Sequence, residues 1–340
     1  LKLKQPVKNT DLEKRIFAAS DTNFEDMALE VFQFQYHNNA VYQQFCNHLS
    51  IDCDEVITLS QIPFLPIRFF KSHTIQTTTF EPEAVFTSSG TTGSVNSRHY
   101  VKSTGLYTSS FSKGFQKFYG APDNKCILGL LPSYLERKES SLVFMVDHLI
   151  KNSGHPLSGF YLYDHEKLHN TILHNEILQQ PTLLIGVTYA LLDFAAQFPA
   201  QLKNTIIMET GGMKGRREEM TRKEVHEQLQ KQLGISLVHS EYGMTELLSQ
   251  AYSKGDGIFH CPAWMKIILR EEDDPFALML PDQVKDKPAS GAINVIDLAN
   301  IYSCSFIATD DIGKLYSNGS FEVAGRMDNS DIRGCSLMMF

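Results

Sequence analysis

Phe86-Thr-Ser-Ser-Gly-Thr-Thr-Gly-Ser94 is the segment of this 340-residue chain best equipped to hold an anion. Small residues leave its backbone N–H groups bare and its hydroxyls add donors, a combination suited to wrapping polyphosphate oxygens. It is not the Gly-x-x-x-x-Gly-Lys-Ser/Thr loop, because no lysine follows the second glycine, and the chain has no Gly-x-Ser-x-Gly elbow. An ordinary surface loop has the same composition. Glu241-Tyr-Gly-Met-Thr-Glu246 sets a hydroxyl beside a carboxylate on a glycine turn, which could hold a phosphate oxygen and its magnesium together; a polar loop between strand and helix reads the same way. Ile307-Ala-Thr-Asp-Asp-Ile-Gly313 ends a strand-like run in carboxylates, usual acceptors for ribose hydroxyls, and Gly325-Arg-Met-Asp-Asn-Ser-Asp-Ile-Arg333 lies beyond it. Surface turns use these residues too.

Something must position these segments, and the apolar pattern says what. Residues 23–50 carry Met27, Val31, Phe34, Val41 and Phe45 at helical spacing, predicting a helical stretch. Two prolines three apart in 61–71 predict an extended path. From residue 84 short apolar runs follow at 84–86, 125–131, 160–163, 182–186, 205–209 and 235–239, each stopped by Gly, Ser, Pro or Asp. Helical patterns stand between several of them: Asp164 suits an N-cap, 187–197 reads as a helix, and Thr221-Arg-Lys-Glu224 is a capping box with Gly234 as the stop. Alternating strands and helices predict an α/β fold with a mainly parallel sheet and ligands at the strand C-terminal ends. After residue 258 the pattern turns β-rich, and Asn318-Gly319 predicts a hairpin turn.

Composition narrows the function. With 31 basic against 39 acidic residues and no long Lys/Arg block, the chain lacks the clustered positive charge a nucleic-acid surface needs. The most apolar stretch, 182–192, falls short of the ~20 residues of a membrane span, and the N-terminus has no signal-peptide pattern. Six scattered cysteines without a Cys-x-x-Cys pair suit a reduced, cytoplasmic protein. His165, His169 and His174 at helical spacing suit a solvated helix better than a metal site. Cys261 reads as core, and His73 as either structural or acid/base.

In this order the segments resemble the adenylate-forming superfamily of acyl-CoA synthetases, luciferases and peptide-synthetase adenylation domains, over residues 64–333. The first loop is similar to that superfamily's phosphate loop, which implies that Ser88, Ser89, Gly90, Thr91, Thr92 and Gly93 hold ATP. Gly211 and Gly212 stand where its adenine-side Gly-Gly belongs. Tyr242-Gly243-Met244-Thr245-Glu246 is similar to its Tyr-Gly-x-Thr-Glu signature, implying nucleotide contacts along the turn, an α-phosphate contact for Thr245 and Mg2+ ligation by Glu246. Thr309-Asp-Asp311 resembles its Thr-Gly-Asp, with Asp311 as the ribose carboxylate, and Gly325-Arg-Met-Asp328 its ribose arginine, Arg326, with Asp328 as a hinge.

Departures from the superfamily pattern select a branch. Gly93 is followed by Ser-Val-Asn-Ser-Arg98 instead of Gly-x-Pro-Lys, and the C-terminal lid domain with its adenylation lysine is expected to be absent. The LuxE-type acyl-protein synthetases look shortened in this way. The segments Ile62-Pro-Phe-Leu-Pro-Ile-Arg-Phe-Phe-Lys-Ser-His73, Ser97-Arg-His-Tyr100, Leu131-Pro-Ser-Tyr-Leu-Glu-Arg-Lys138 and Arg333-Gly-Cys-Ser-Leu-Met338 resemble theirs. That resemblance implies ATP- and Mg2+-dependent activation of a fatty acid, acyl transfer to Cys335, and a partner acyl reductase or acyltransferase. The expected organisation is a helical segment at 1–80, an α/β adenylate-forming core at 81–257, a β-rich subdomain at 258–325, and a hinge remnant with the cysteine-bearing tail at 326–340. A lid-less acyl-CoA ligase and a non-catalytic nucleotide- or acyl-binding subunit are the alternative readings.

Overall fold

The apolar runs from 125 onward that read as strands pair in parallel, whereas the run at 84–86 lies in an antiparallel pair with Arg98–Val101. In the computed structural model, which describes residues 9–88, 95–131, 139–211 and 220–327, these residues fall into two compact units, each discontinuous in sequence. One unit comprises Phe111–Met244, Gln250–His260 and the chain from Phe321; the other comprises the chain up to Ser110, Thr245–Ser249 and Cys261–Ser320.

The first of these is the parallel α/β unit. Strands Cys126–Leu130, Thr182–Gly186, Thr205–Glu209 and His239–Tyr242 lie side by side, with Leu128 opposite Leu184, Leu184 opposite Ile207 and Met208 opposite His239. Gly159–Phe160 adds a short parallel edge. Every residue of Cys126–Leu130 and Thr182–Gly186 is buried, the signature of a sheet covered on both faces, and it explains why these runs are continuously apolar. Helices Ser141–Ser153, His165–Ile177, Thr188–Gln197 and Arg222–Leu233 join the strands. The last has its reciprocal box: Thr221 Oγ1 accepts from Glu224 N–H (3.3 Å) and Glu224 Oε2 from Thr221 N–H (2.7 Å). Gly234 closes it at φ +64°, a conformation that favours glycine. Asp164 caps His165–Ile177 by accepting from Lys167 N–H. The run at 235–239 behaves differently from expectation. Its strand begins only at His239. Antiparallel strands Ala251–Ser253, Phe259–His260 and Phe321–Arg326 extend this sheet. Tyr242, Phe259 and Phe321 meet there with ring centroids 5.4–5.9 Å apart, and full burial of such side chains contributes about 1.5–3 kcal/mol each.

The second unit is β-rich, with N-terminal helices against its sheet. Strands Leu278–Met279, Met265–Arg270, Ala289–Asp297 and Phe306–Leu315 run antiparallel, and Leu65–Pro66, from the proline-bearing segment, joins Ile307–Ala308 in parallel. The stretch at 23–50 forms two helices, Phe24–Asn38 and Ala40–His48. Asn39 interrupts them: it is extended, its Oδ1 caps Tyr42 N–H (3.0 Å), and its Nδ2 donates to Ser303 C=O (2.9 Å). Phe306 centres the core, with Phe32, Tyr42 and Phe64 rings at 6.2 Å. Asn318-Gly319 forms the expected turn, with Gly319 at φ +80° and Tyr316 N–H donating to Ser320 C=O. No helix among the described residues is long and apolar enough to cross a membrane.

Candidate functional site

The Ser/Gly/Thr segment connects two strands of a hairpin in the β-rich unit. Ala84–Thr87 pairs with Arg98–Val101, Thr87 facing Arg98. Beyond that pair Ser88 N–H donates to Ser97 C=O (3.1 Å), and buried Ser88 Oγ accepts from Ser97 N–H (2.9 Å). Ser88 thus closes the hairpin; Ser89, Gly90, Thr91, Thr92 and Gly93 lie outside the described residues.

The same unit holds the Thr-Glu turn in a clamp of buried polar side chains. Nδ1–H of His99 donates to Thr245 C=O at 2.8 Å, and Asn300 Nδ2 donates to Glu246 C=O at 2.7 Å. Asp297 then accepts from Leu248 N–H, Ser249 N–H and Ser249 Oγ at 2.6–2.9 Å, and from Ala299 N–H at 3.1 Å. Trp264 Nε1–H donates to Ser249 Oγ as well. Burial pushes the Asp297 carboxyl up to about 6, against these hydrogen bonds, which favour the ionised form. Glu246 itself is buried beside this scaffold, with Thr245 partly exposed. Asp297→Asn sets an amide N–H2 among four donors. With about 1–3 kcal/mol lost per buried group left unmatched, a stability loss of about 3 kcal/mol is expected by urea titration. A loss below about 1 kcal/mol rejects the clamp's energetic importance.

Asp311 is built into strand Phe306–Leu315 around a buried arginine. Arg270 donates to Thr309 C=O (2.7 Å), Ile293 C=O (3.0 Å) and Asn294 Oδ1 (2.6 Å), where the register between Ala289–Asp297 and its neighbour slips. Thr309 Oγ1 donates to Ile293 C=O and accepts from Asp311 N–H (3.2 Å). Burial lowers the Arg270 pKa, and the Asp310 and Asp311 charges oppose that shift. Asp311 is buried, whereas Asp310 pairs with exposed Arg68 at 3.3 Å.

In the α/β unit, two carboxylates stand at the C-terminal ends of adjacent parallel strands, where such sheets bind ligands. Glu209 Oε2 accepts from Gly211 N–H (2.7 Å) and Thr188 Oγ1 (3.1 Å), fixing Gly211 at φ +73°. Burial pushes the Glu209 carboxyl up, but His226 (3.8 Å), Arg222 (3.7 Å), Ser240 and the Gly211 N–H together bring it to about 2. Glu241 goes the other way: burial, then the Glu209 charge, pushes it up to about 8. A Cβ at Gly243 would meet the Glu241 carboxylate, so a side chain there would have to displace that carboxylate. Tyr242 is buried against Phe259 and Phe321, Met244 is partly exposed, and Arg326 ends the strand Phe321–Arg326.

Gly212, Asp328 and Cys335 lie outside the described residues. His165 packs edge-on against Phe194 and His169 stacks on Phe198, and no cluster of metal-ligating side chains occurs among the described residues. His73 is exposed and stacks on Phe69, and Cys261 is half-buried. Sequence reasoning gave no role to His99, Asp297, Asn300, Arg270 or Glu209. The available signal was weak: a His at an inward position of a strand, and Asp or Glu ending an apolar run.

The fold is that of the adenylate-forming ligases. It matches 2-hydroxyisobutyryl-CoA ligase in the postadenylation state in complex with 2-HIB-AMP at a TM-score of 0.63 and 9% identity, over 98% of this chain and 74% of that one. It matches the ATP-bound RpMatB-BxBclM chimera B3 at a TM-score of 0.52 and 16% identity, over 72% of this chain and 48% of that one. Within that class the chain belongs to the acyl-protein synthetase LuxE family, which matches residues 14–340. A stretch of 63 residues is 44% identical to the long-chain-fatty-acid–luciferin-component ligase of Vibrio harveyi, 18% of this chain and 16% of that protein's length.

Proposed function

We propose that this protein activates a long-chain fatty acid with ATP and passes the acyl group to a protein cysteine. Membership of the acyl-protein synthetase family across residues 14–340 is the observation that carries this reading. In the first step a carboxylate oxygen attacks the α-phosphorus, the bond from that phosphorus to the α,β-bridging oxygen breaks, and pyrophosphate leaves. Two anions must meet, so positioning and charge neutralisation are the main service the protein supplies. Thr245 is assigned to the α-phosphate, Asp311 and Arg326 to the ribose, and Gly211, Gly212, Tyr242, Gly243 and Met244 to the rest of the nucleotide. Ser89 to Gly93 are assigned to the outer phosphates, and Ser88 to the nucleotide site beside them. The residues fit Mg2+: Glu246 and Thr245 offer hard oxygen donors, and Mg2+ is commonly held by one or two carboxylates plus substrate phosphates. When bound it would offset phosphate charge next to Glu246. In the second step a thiolate attacks the acyl carbonyl carbon, the bond to AMP breaks, and a thioester remains. A partner acyl reductase or acyltransferase would then collect the acyl group.

Fatty-acid-dependent exchange of labelled pyrophosphate into ATP tests the first step, since a protein that only binds nucleotide exchanges nothing. Asp311→Ala should weaken ATP binding roughly tenfold or more, from about 1.5–3 kcal/mol for a charged hydrogen bond to the ribose. Unchanged ATP affinity by calorimetry would leave Asp311 with a structural role in its strand only.

A further inference from the structure

We propose that His99 is a positioning residue, tying the turn that carries Thr245 and Glu246 to the hairpin that carries the Ser/Gly/Thr segment; its consequence for the reaction rests on the adenylation reading above. Both elements belong to the β-rich unit, so the tie is internal to one body. His99 sits in Arg98–Val101, facing Phe86, the first residue of the Ser/Gly/Thr segment, and follows the segment's last residue, Ser94, by five positions. Its side chain turns inward, 1% exposed, with the ring edge-on to Phe70 at 5.9 Å. A carbonyl can only accept, so the 2.8 Å contact with Thr245 fixes the proton on Nδ1. The Asn300 bond to the next carbonyl, at Glu246, means that two successive peptide planes are held from the protein interior. Fixing those planes fixes where the Thr245 hydroxyl and Glu246 carboxylate leave the backbone. A catalytic group misplaced by 1 Å can cost about 100-fold in rate, so such a tie has consequences beyond stability.

Two substitutions separate a donor from a space filler. His99→Asn carries Nδ2–H close to the position of Nδ1 but leaves part of the ring volume empty. His99→Phe fills the volume and leaves the Thr245 carbonyl without its donor. If His99 positions the turn, function follows the donor while thermal stability follows the volume. Hydrogen exchange read by mass spectrometry on the peptide spanning 242–250 should speed about tenfold in His99→Phe and stay near wild type in His99→Asn. Pyrophosphate exchange should lose about tenfold or more in kcat in His99→Phe, with KM for the fatty acid unchanged, and less than about threefold in His99→Asn. Equal effects of the two variants on peptide exchange, or none, overturn the tie. Peptide exchange that follows the donor with kinetics that do not overturns the role in the reaction. If wild type itself performs no pyrophosphate exchange, the adenylation reading and the His99 role in the reaction both fail, while the peptide data still decide the tie.

Discussion

Glu246→Gln is expected to leave the protein folded and to cut acyl-adenylate formation by about 100-fold or more, the range seen when a group that stabilises developing charge is removed. Gln matches Glu in size, and the backbone of residue 246 is held through its carbonyl by Asn300, a bond the substitution does not touch. What changes is the charge. Loss of one negative oxygen donor removes the hard ligand that Mg2+ prefers, so the deficit should lie in kcat and in the Mg2+ concentration needed, not in fatty-acid binding. Fatty-acid-dependent pyrophosphate exchange across a Mg2+ titration measures both, with thermal unfolding as the check on folding. Near-wild-type exchange in a folded variant would remove Glu246 from the metal role.

The contrast between the Glu246 side chain and its backbone also shows what the sequence could tell. Features set by near neighbours were legible. The Thr221/Glu224 box, the Asp164 cap and the Gly234 stop each involve residues within a few positions, and the buried parallel strands announce themselves as unbroken apolar runs. Motif order and spacing likewise singled out Thr245, Glu246 and Asp311 as candidates. What holds those residues was not legible, because the partners are distant in sequence. His99 reaches Thr245 across 146 positions, Asp297 reaches Ser249 across 48, and Arg270 reaches Thr309 across 39. None of these pairs leaves a local pattern. Asn39 fails as a helix residue for the same reason: its partner Ser303 lies 264 positions away and outweighs the helical spacing around it. Local chemistry named the groups, and long-range hydrogen bonds decided their placement.

The largest effect is expected at Cys335, which lies outside the described residues. A thioester needs a thiolate, and the described cysteines are poor sources of one. Cys46, Cys53, Cys126 and Cys304 are buried. Burial pushes the Cys46 thiol up to about 12, against a hydrogen bond with Tyr42, and it raises the thiols of Cys53, Cys126 and Cys304 too. Such thiols are protonated at pH 7 and inert. That leaves Cys261, half-buried, and Cys335. Incubation with radiolabelled fatty acid and ATP, followed by denaturing electrophoresis, should give a labelled wild-type band that neutral hydroxylamine removes. Cys335→Ser should lose that label, or keep it as a hydroxylamine-resistant ester, because a serine oxygen can only form the less labile linkage. Cys261→Ser should label like wild type. Pyrophosphate exchange should survive in Cys335→Ser, since adenylation is complete before the thiol is needed. Equal labelling of Cys335→Ser and wild type, with the same lability, would move the acyl group elsewhere; loss of label in Cys261→Ser alone would assign it to Cys261. If no variant carries label and free coenzyme A is acylated instead, the acceptor is a small thiol, and the protein-cysteine step falls while the adenylation step stands.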